Sequence, residues 1–197
     1  MTGTGTLKRP LGLALSGLLA VFLLLGGAAC RDKPTPARAY ASAAERLYRG
    51  EFRAAVRDLT ALIVAEPSNP RTYYLRGLAH FQLKNFGQAA SDLGRAASLD
   101  PGMVGLRYQA GVARLELGDP LAALADFDAA LKARPEAPEI LFQRSVALRG
   151  LGLLREAEAM LDKALAKRPD FHPALLSRGY LRHLFLEMEM QARLFDS

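Results

Sequence analysis

The sequence predicts an all-α protein, a solenoid of four helical hairpins followed by a capping helix. Prolines recur every 34 residues, small residues recur at the same interval, and apolar residues between them are spaced three and four apart. Such spacing places apolar side chains on one face of a helix. The recurring prolines are Pro67, Pro101, Pro135 and Pro169. A fixed interval of this length indicates stacked supersecondary units.

Composition agrees with a globular chain and excludes several function classes. The 197 residues are 50% hydrophobic and 23% charged, which fits a packed core and not a disordered chain. A single cysteine excludes an intrachain disulfide and a cysteine-based zinc site. The formal net charge is +6, but Lys8 and Arg9 belong to the amino-terminal leader. The remaining charge is mild, so we expect no nucleic-acid partner.

The amino terminus has the order of an export signal. Lys8 and Arg9 precede an uncharged, leucine-rich run, and small residues at 26–29 lead to Cys30. A positive segment, an apolar segment and small residues are typical of a secretory signal peptide, predicted here over 1–29. Small residues before a lone cysteine resemble the bacterial lipobox. The resemblance implies a diacylglyceryl group on Cys30.

Two other interpretations of this segment stay open. About 20 apolar residues could remain as a membrane-spanning helix, or the signal could be cleaved and Cys30 left unmodified. In the membrane-spanning form, as in the lipidated form, Lys8 and Arg9 hold the amino end in the cytoplasm. We therefore expect a domain facing the periplasm or another extracytoplasmic space, anchored in the cell membrane or the outer membrane. Residues 30–36 form a short tether, because Pro34 and Pro36 disfavour helix before them.

The rest of the chain divides into four units and a final segment. The units are 36–69, 70–103, 104–137 and 138–171, and a capping helix and tail occupy 172–197. Position 20 of each unit is alanine, at Ala55, Ala89, Ala123 and Ala157. Position 8 is small, at Ala43, Gly77, Gly111 and Ser145, and Gly179 continues the register. Small residues at both positions let the two helices of a hairpin approach closely.

Turn residues separate the predicted helices. Gly50, Gly118 and Gly152 recur at the hairpin turn, where the second unit has Lys84. Each recurring proline ends a second helix, because the residue before a proline resists the helical conformation. Asp119 and Pro120 provide an N-cap and a first-turn proline for the second helix of the third unit.

A 34-residue helix-turn-helix unit with small residues at positions 8 and 20 and proline at position 32 resembles the tetratricopeptide repeat. The resemblance covers residues 36–171. It implies a right-handed superhelix whose concave face is lined by the first helix of each unit. It also implies a protein partner, as a peptide or helix in the concave groove. Some family members clamp a partner's terminal carboxylate. The corresponding positions here include Ala44, Leu75, Gly105 and Gln109, so the resemblance does not imply this clamp.

Candidate groove residues follow from the same resemblance. Position 5 of each unit points into the groove in this family, and four aromatic residues there form a possible ladder. Aromatic rings offer a large contact area at a low entropic cost, although the same rings could serve packing. The candidate set is Tyr40, Tyr74, Leu75, Leu78, Tyr108, Gln109, Val112, Phe142 and Val146.

We therefore expect a membrane-anchored adaptor that binds protein partners in cell-envelope assembly. His80, His172 and His183 lie in different units, and neither a metal-binding HExxH nor a GxSxG nucleophile motif occurs. The sequence predicts no enzyme, cofactor or metal. An alternative is a regulatory or substrate-delivery subunit that binds glycan or lipid for an envelope enzyme. Basic residues of the last units suggest it, among them Arg144, Arg149, Arg178 and Arg182.

Overall fold

The computed structural model describes residues 35–103 and 105–195, with the side chain of Phe195 left out. These residues form nine helices and no strand. The signal peptide, Cys30 and most of the tether lie outside the described residues. No helix within the described ranges is long and apolar enough to cross a membrane. The helices are α1 Pro36–Tyr48, α2 Phe52–Ala65, α3 Pro70–Gln82, α4 Phe86–Leu99, α5 Gly105–Leu117, α6 Pro120–Ala133, α7 Pro138–Gly150, α8 Leu154–Lys167 and α9 His172–Phe195.

Consecutive helices pack against one another along the whole series from α1 to α9. Each predicted unit contains one hairpin, made of α1 and α2, α3 and α4, α5 and α6, or α7 and α8. The apolar core consists of clusters that join neighbouring hairpins, as when Phe127 of α6 meets Ile140 and Ala147 of α7. The prediction of an all-α solenoid of helical hairpins is confirmed.

The small residues bring the two helices of a hairpin together as predicted. Ala55, Ala89, Ala123 and Ala157 are all fully buried. A Cβ atom at Gly77 would lie 2.9 Å from Cγ of Leu93, and one at Gly111 would lie 2.6 Å from the ring of Phe127. Both distances are shorter than carbon atoms tolerate, so glycine is required where these helices cross.

The helix ends follow the proline and capping signals. The second helices end two residues before each recurring proline, at Ala65, Leu99, Ala133 and Lys167. At the third unit, the Asp119 side chain accepts a hydrogen bond of 3.0 Å from the Ala122 amide, and Pro120 occupies the first turn. The predicted cap of α6 is thus confirmed. Asn69 caps α3 in the same way, through the Arg71 amide at 3.1 Å.

Buried ion pairs also join the helices. An acidic residue recurs at position 23 of the first three units, at Asp58, Asp92 and Asp126. Asp126 is 2% exposed and accepts hydrogen bonds from Arg114 at 2.6 Å and Arg107 at 3.3 Å. Burial raises the pKa of Asp126, and the two arginines oppose that shift. These pairs therefore fix the orientation of the helices more than they stabilise the fold.

The turn between the helices requires a left-handed backbone. Gly50, Gly118 and Gly152 have φ values of 78°, 84° and 76°, and Lys84 holds the same turn at 59°. Glycine adopts this conformation without a steric penalty, whereas a residue with a Cβ pays about 1 to 2 kcal/mol.

Replacing Lys84 with glycine should raise the free energy of unfolding by about 0.5 to 1 kcal/mol. Relief of backbone strain outweighs the larger entropy of glycine in the unfolded chain. Chemical denaturation monitored by circular dichroism measures this change. A matched control is Lys132→Gly inside α6, which should lower stability by about 1 kcal/mol. A loss of stability at Lys84 would contradict the strain interpretation.

Candidate partner-binding groove

The first helices of neighbouring units lie side by side, and α5 and α7 enclose a groove of about 630 Å³. Its walls come from the candidate residues Val112 and Val146 together with residues that the sequence analysis missed. The lining combines apolar side chains with the opposite charges of Glu116 and Arg149. The lining is Val112, Leu115, Glu116, Gly118, Pro120, Gln143, Val146, Arg149 and Gly150.

Local sequence explains why these side chains reach the groove. Val112 and Val146 occupy position 9 of their units, and Leu115 and Arg149 occupy position 12. Residues three apart lie on the same face of a helix. The opposite face of α5 carries the buried residues Leu106, Ala110 and Ala113. The apolar periodicity of α5 therefore serves two surfaces, the core and the groove.

The structure places all nine predicted groove residues in half-buried positions. Two of the four aromatic residues at position 5 also contact a ring of their own unit. The Tyr108 and Phe127 ring centroids lie 6.2 Å apart, and those of Phe142 and Phe171 lie 5.5 Å apart in an edge-on arrangement. Such pairs stabilise the packing within the third and fourth units. The ladder is thus shared between packing and the groove surface.

The other predicted residues are divided among several places. Tyr40 lines a separate cleft of about 300 Å³ with Arg71 and Thr72. Leu75 packs with Tyr40 on the core of the first hairpin, and Tyr74 packs on the core of the second. The nine residues therefore do not form one pocket. Of this set, the structure brings Val112 and Val146 together in the groove between α5 and α7.

Two polar side chains of α5 at predicted groove positions, Tyr108 and Gln109, are half-buried. Burial raises the pKa of the Tyr108 phenol, whose hydroxyl forms a hydrogen bond with Gln143. The neighbouring Gln109 has a buried Oε1 that accepts no hydrogen bond from the described residues. A buried acceptor without a donor is costly. An amide or hydroxyl of a bound molecule, or a water molecule, would satisfy it.

The sequence of this chain matches the model of a known protein family. A family model described as tetratricopeptide repeat matches residues 40–104 and 108–171. These two segments cover more than half of the chain. This chain belongs to the tetratricopeptide repeat family. No curated protein matches the sequence.

Several solved structures share the tetratricopeptide fold of this chain. MamA 41-end from Desulfovibrio magneticus RS-1 is similar with a TM-score of 0.72 and 21% identity, covering 83% of this chain and 93% of its own. YrrB, described as a TPR protein with an unusual peptide-binding site, has a TM-score of 0.71, 21% identity and coverage of 84% and 85%. The first TPR of Spaghetti (RPAP3), bound to the HSP90 peptide SRMEEVD, has a TM-score of 0.57, 17% identity and coverage of 60% and 94%.

The tetratricopeptide register continues beyond the fourth unit. Leu176 and Tyr180 of α9 fall at positions 5 and 9, the register of the groove residues, and are 76% and 55% exposed. The Arg149 guanidinium lies 5.8 Å from the centre of the Tyr180 ring. The sequence analysis placed Gly179 at position 8 of this register but did not extend the groove positions to Leu176 and Tyr180.

The basic residues of the last units are engaged within the fold. Arg144 pairs with Asp128 at 2.7 Å, and Arg178 pairs with Asp162 at 2.9 Å. In both pairs the arginine lies in a first helix, and its aspartate lies sixteen residues earlier in the second helix of the preceding unit. Arg182 contacts Glu158 at 3.0 Å. These arginines therefore act as links between tetratricopeptide units, which weakens the argument for a glycan or lipid surface.

The described ranges offer little for metal or acid-base chemistry. No group of three histidine, cysteine, aspartate or glutamate side chains in 35–103 and 105–195 is arranged to hold a metal ion. Burial lowers the pKa of His80, which favours its neutral form. His183 lies 3.2 Å from Glu187 one turn along α9. Both histidines have local structural explanations.

Proposed function

We propose that this protein is a membrane-anchored, extracytoplasmic adaptor that binds an apolar peptide or helix of a protein partner in cell-envelope assembly. The observation that carries the proposal is the groove between α5 and α7. Its half-exposed Val112, Leu115 and Val146 lie on a helical scaffold, and Glu116 and Arg149 line the same groove. Tetratricopeptide repeat proteins act as protein-binding scaffolds, and two structural neighbours are described by their peptide binding.

The shape of the groove supports a peptide over a small molecule. It is open to solvent and lined in part by apolar side chains, so a ligand gains most by laying apolar side chains across the two helices. The two charges would orient such a segment, because Glu116 and Arg149 attract opposite ends of a dipolar helix or oppositely charged side chains. A free terminal carboxylate is not needed for this mode.

Replacing Val146 with glutamate should weaken peptide binding by about tenfold or more, because a bound apolar side chain would have to bury a carboxylate. Peptides selected by display on the purified chain provide the ligands, and fluorescence anisotropy gives their affinities. Lys132→Glu, on the exposed face of α6, changes the charge elsewhere and should leave binding unchanged. Equal affinity of the wild type and the Val146 variant would exclude this groove as the binding surface.

The anchoring part of the proposal depends on Cys30 and the preceding apolar segment. Replacing Cys30 with serine should abolish incorporation of a metabolic fatty-acid label and release the mature domain from the membrane fraction, because the thiol is the acceptor of the lipid. Mass spectrometry of the amino-terminal peptide identifies the modification. A protein that stays in the membrane fraction without label would instead have retained its apolar segment as the anchor.

A further inference from the structure

Within the described residues, helix α9 covers the last hairpin with one face, and its opposite face is bare. Ala174 and Leu181 are buried against α8, while large apolar side chains on the other side are exposed. Helical spacing places Leu175, Leu176, Leu186 and Met190 within one stripe around Gly179. Their exposed fractions are 38%, 76%, 58% and 58%, respectively.

In the preceding units, the helix face around position 8 is covered by the second helix of the same unit. Gly77 and Gly111 sit so close to Leu93 and Phe127 that a Cβ atom would clash at 2.9 and 2.6 Å. Gly179 has the same repeat position, but a Cβ atom there would meet no atom within 4 Å. Helix α9 therefore has the interface of a first helix without its partner in the described chain.

A charge pattern accompanies this interface. In the first and third units, position 11 of the first helix pairs with position 23 of the second helix, as Arg46 with Asp58 at 2.9 Å and Arg114 with Asp126 at 2.6 Å. Arg182 occupies position 11 of α9 and is 58% exposed in its side chain. Its contact with Glu158 comes from the preceding unit.

One arginine can serve a preceding and an accompanying helix together. Arg76 donates a hydrogen bond to Thr60 of the preceding unit at 3.1 Å and two hydrogen bonds of 2.7 Å to Asp92 of its own unit. Arg178 has the same position in α9 and contacts Asp162 of the preceding unit at 2.9 Å, so it can keep that pair and still meet a carboxylate on a new helix.

We propose that the bare face of α9 binds an amphipathic helix donated by a partner protein, which completes a fifth hairpin. The geometry specifies a leucine or phenylalanine against Gly179, an acidic residue directly before it against Arg182, and an alanine three positions before the acidic residue. Helices α2, α4 and α6 carry this pattern, as in Ala123, Asp126 and Phe127. A second folded copy cannot supply it, because its own Ala55, Ala89 and Ala123 are fully buried.

A stapled peptide with the sequence of residues 120–133 tests the proposal. The staple replaces residues 121 and 125, which are exposed in this chain, and holds the peptide helical, since so short a helix is marginal alone. We expect saturable binding to the purified full-length chain by fluorescence anisotropy. Gly179→Leu in the chain, or Asp126→Lys in the peptide, should weaken binding by about tenfold or more. Val146→Glu in the groove should leave it unchanged.

Two results would overturn the proposal. One is the absence of saturable binding at millimolar peptide, or binding that Gly179→Leu does not weaken. The other is a dimer of the chain, seen by sedimentation velocity, that Gly179→Leu converts to a monomer, because a second copy would then occupy this face. Gly179→Leu introduces no clash within the described chain, so loss of folding does not explain an effect.

Discussion

Replacing Phe127 with alanine should lower the free energy of unfolding by about 3 to 5 kcal/mol. Phe127 is fully buried and is the largest of the fully buried side chains among the described residues. It fills the space beside Gly111, contacts the ring of Tyr108 and packs against α7 of the next unit. The substitution leaves a cavity between the third and fourth units. Urea denaturation measures the loss.

Phe127→Leu is the matched control. The other units have Leu59, Leu93 and Leu161 at this position, so leucine is compatible with the hairpin and should cost less than about 1.5 kcal/mol. A loss for Phe127→Ala no greater than that of Phe127→Leu would contradict the packing described here.

Replacing Gly111 with leucine should destabilise the protein by about 3 kcal/mol. Its Cβ atom would lie 2.6 Å from the Phe127 ring, and the rest of the side chain would force α5 and α6 apart. The gain in helix propensity, about 0.8 kcal/mol, is too small to offset this clash. Thermal and urea unfolding of the variant check the prediction.

Gly94→Leu separates the clash from the general effect of removing a helical glycine. Gly94 lies inside α4, and a Cβ atom there meets no atom within 4 Å, so leucine should stabilise the chain by about 0.8 kcal/mol. Opposite signs at Gly111 and Gly94 are expected. A stabilising effect at both positions would mean that the helices of the third hairpin are not in close contact.

Much of the fold could be predicted from sequence because it depends on local backbone rules. A proline prevents its preceding residue from continuing a helix, and the second helices end accordingly before Pro67, Pro101, Pro135 and Pro169. A close helix crossing admits only small residues, so Gly77 and Gly111 were identifiable by their spacing. Lys84 was identifiable as the exception at the turn, but not as a strained residue.

The groove was harder to predict because the exposure of a side chain depends on which other side chains pack against it. Tyr108 and Phe142 share the expected position, yet Phe127 and Phe171 pack against their rings. Leu115 and Arg149 reach the groove at a position that the sequence analysis did not consider. The acidic register of Asp58, Asp92 and Asp126 was present in the sequence at the same interval, but only the structure identifies its arginine partners.

The last helix is longer than the first helices of the preceding units. The sequence predicts a capping helix and tail over 172–197, and α9 extends over 24 residues from His172 to Phe195. At 1.5 Å per residue this is roughly 36 Å, against about 20 Å for a first helix of 13 residues. The two surfaces that we propose for partners are the groove and the bare face of α9.

Photo-crosslinking in living cells tests the adaptor function most directly. A crosslinkable residue at Val112 in the groove is compared with one at Lys132 on the exposed side of α6. We expect a discrete protein adduct from Val112, from a partner in the cell envelope, and none from Lys132. Adducts from Lys132 alone, or no adduct from either position, would contradict the groove as the working surface of this protein.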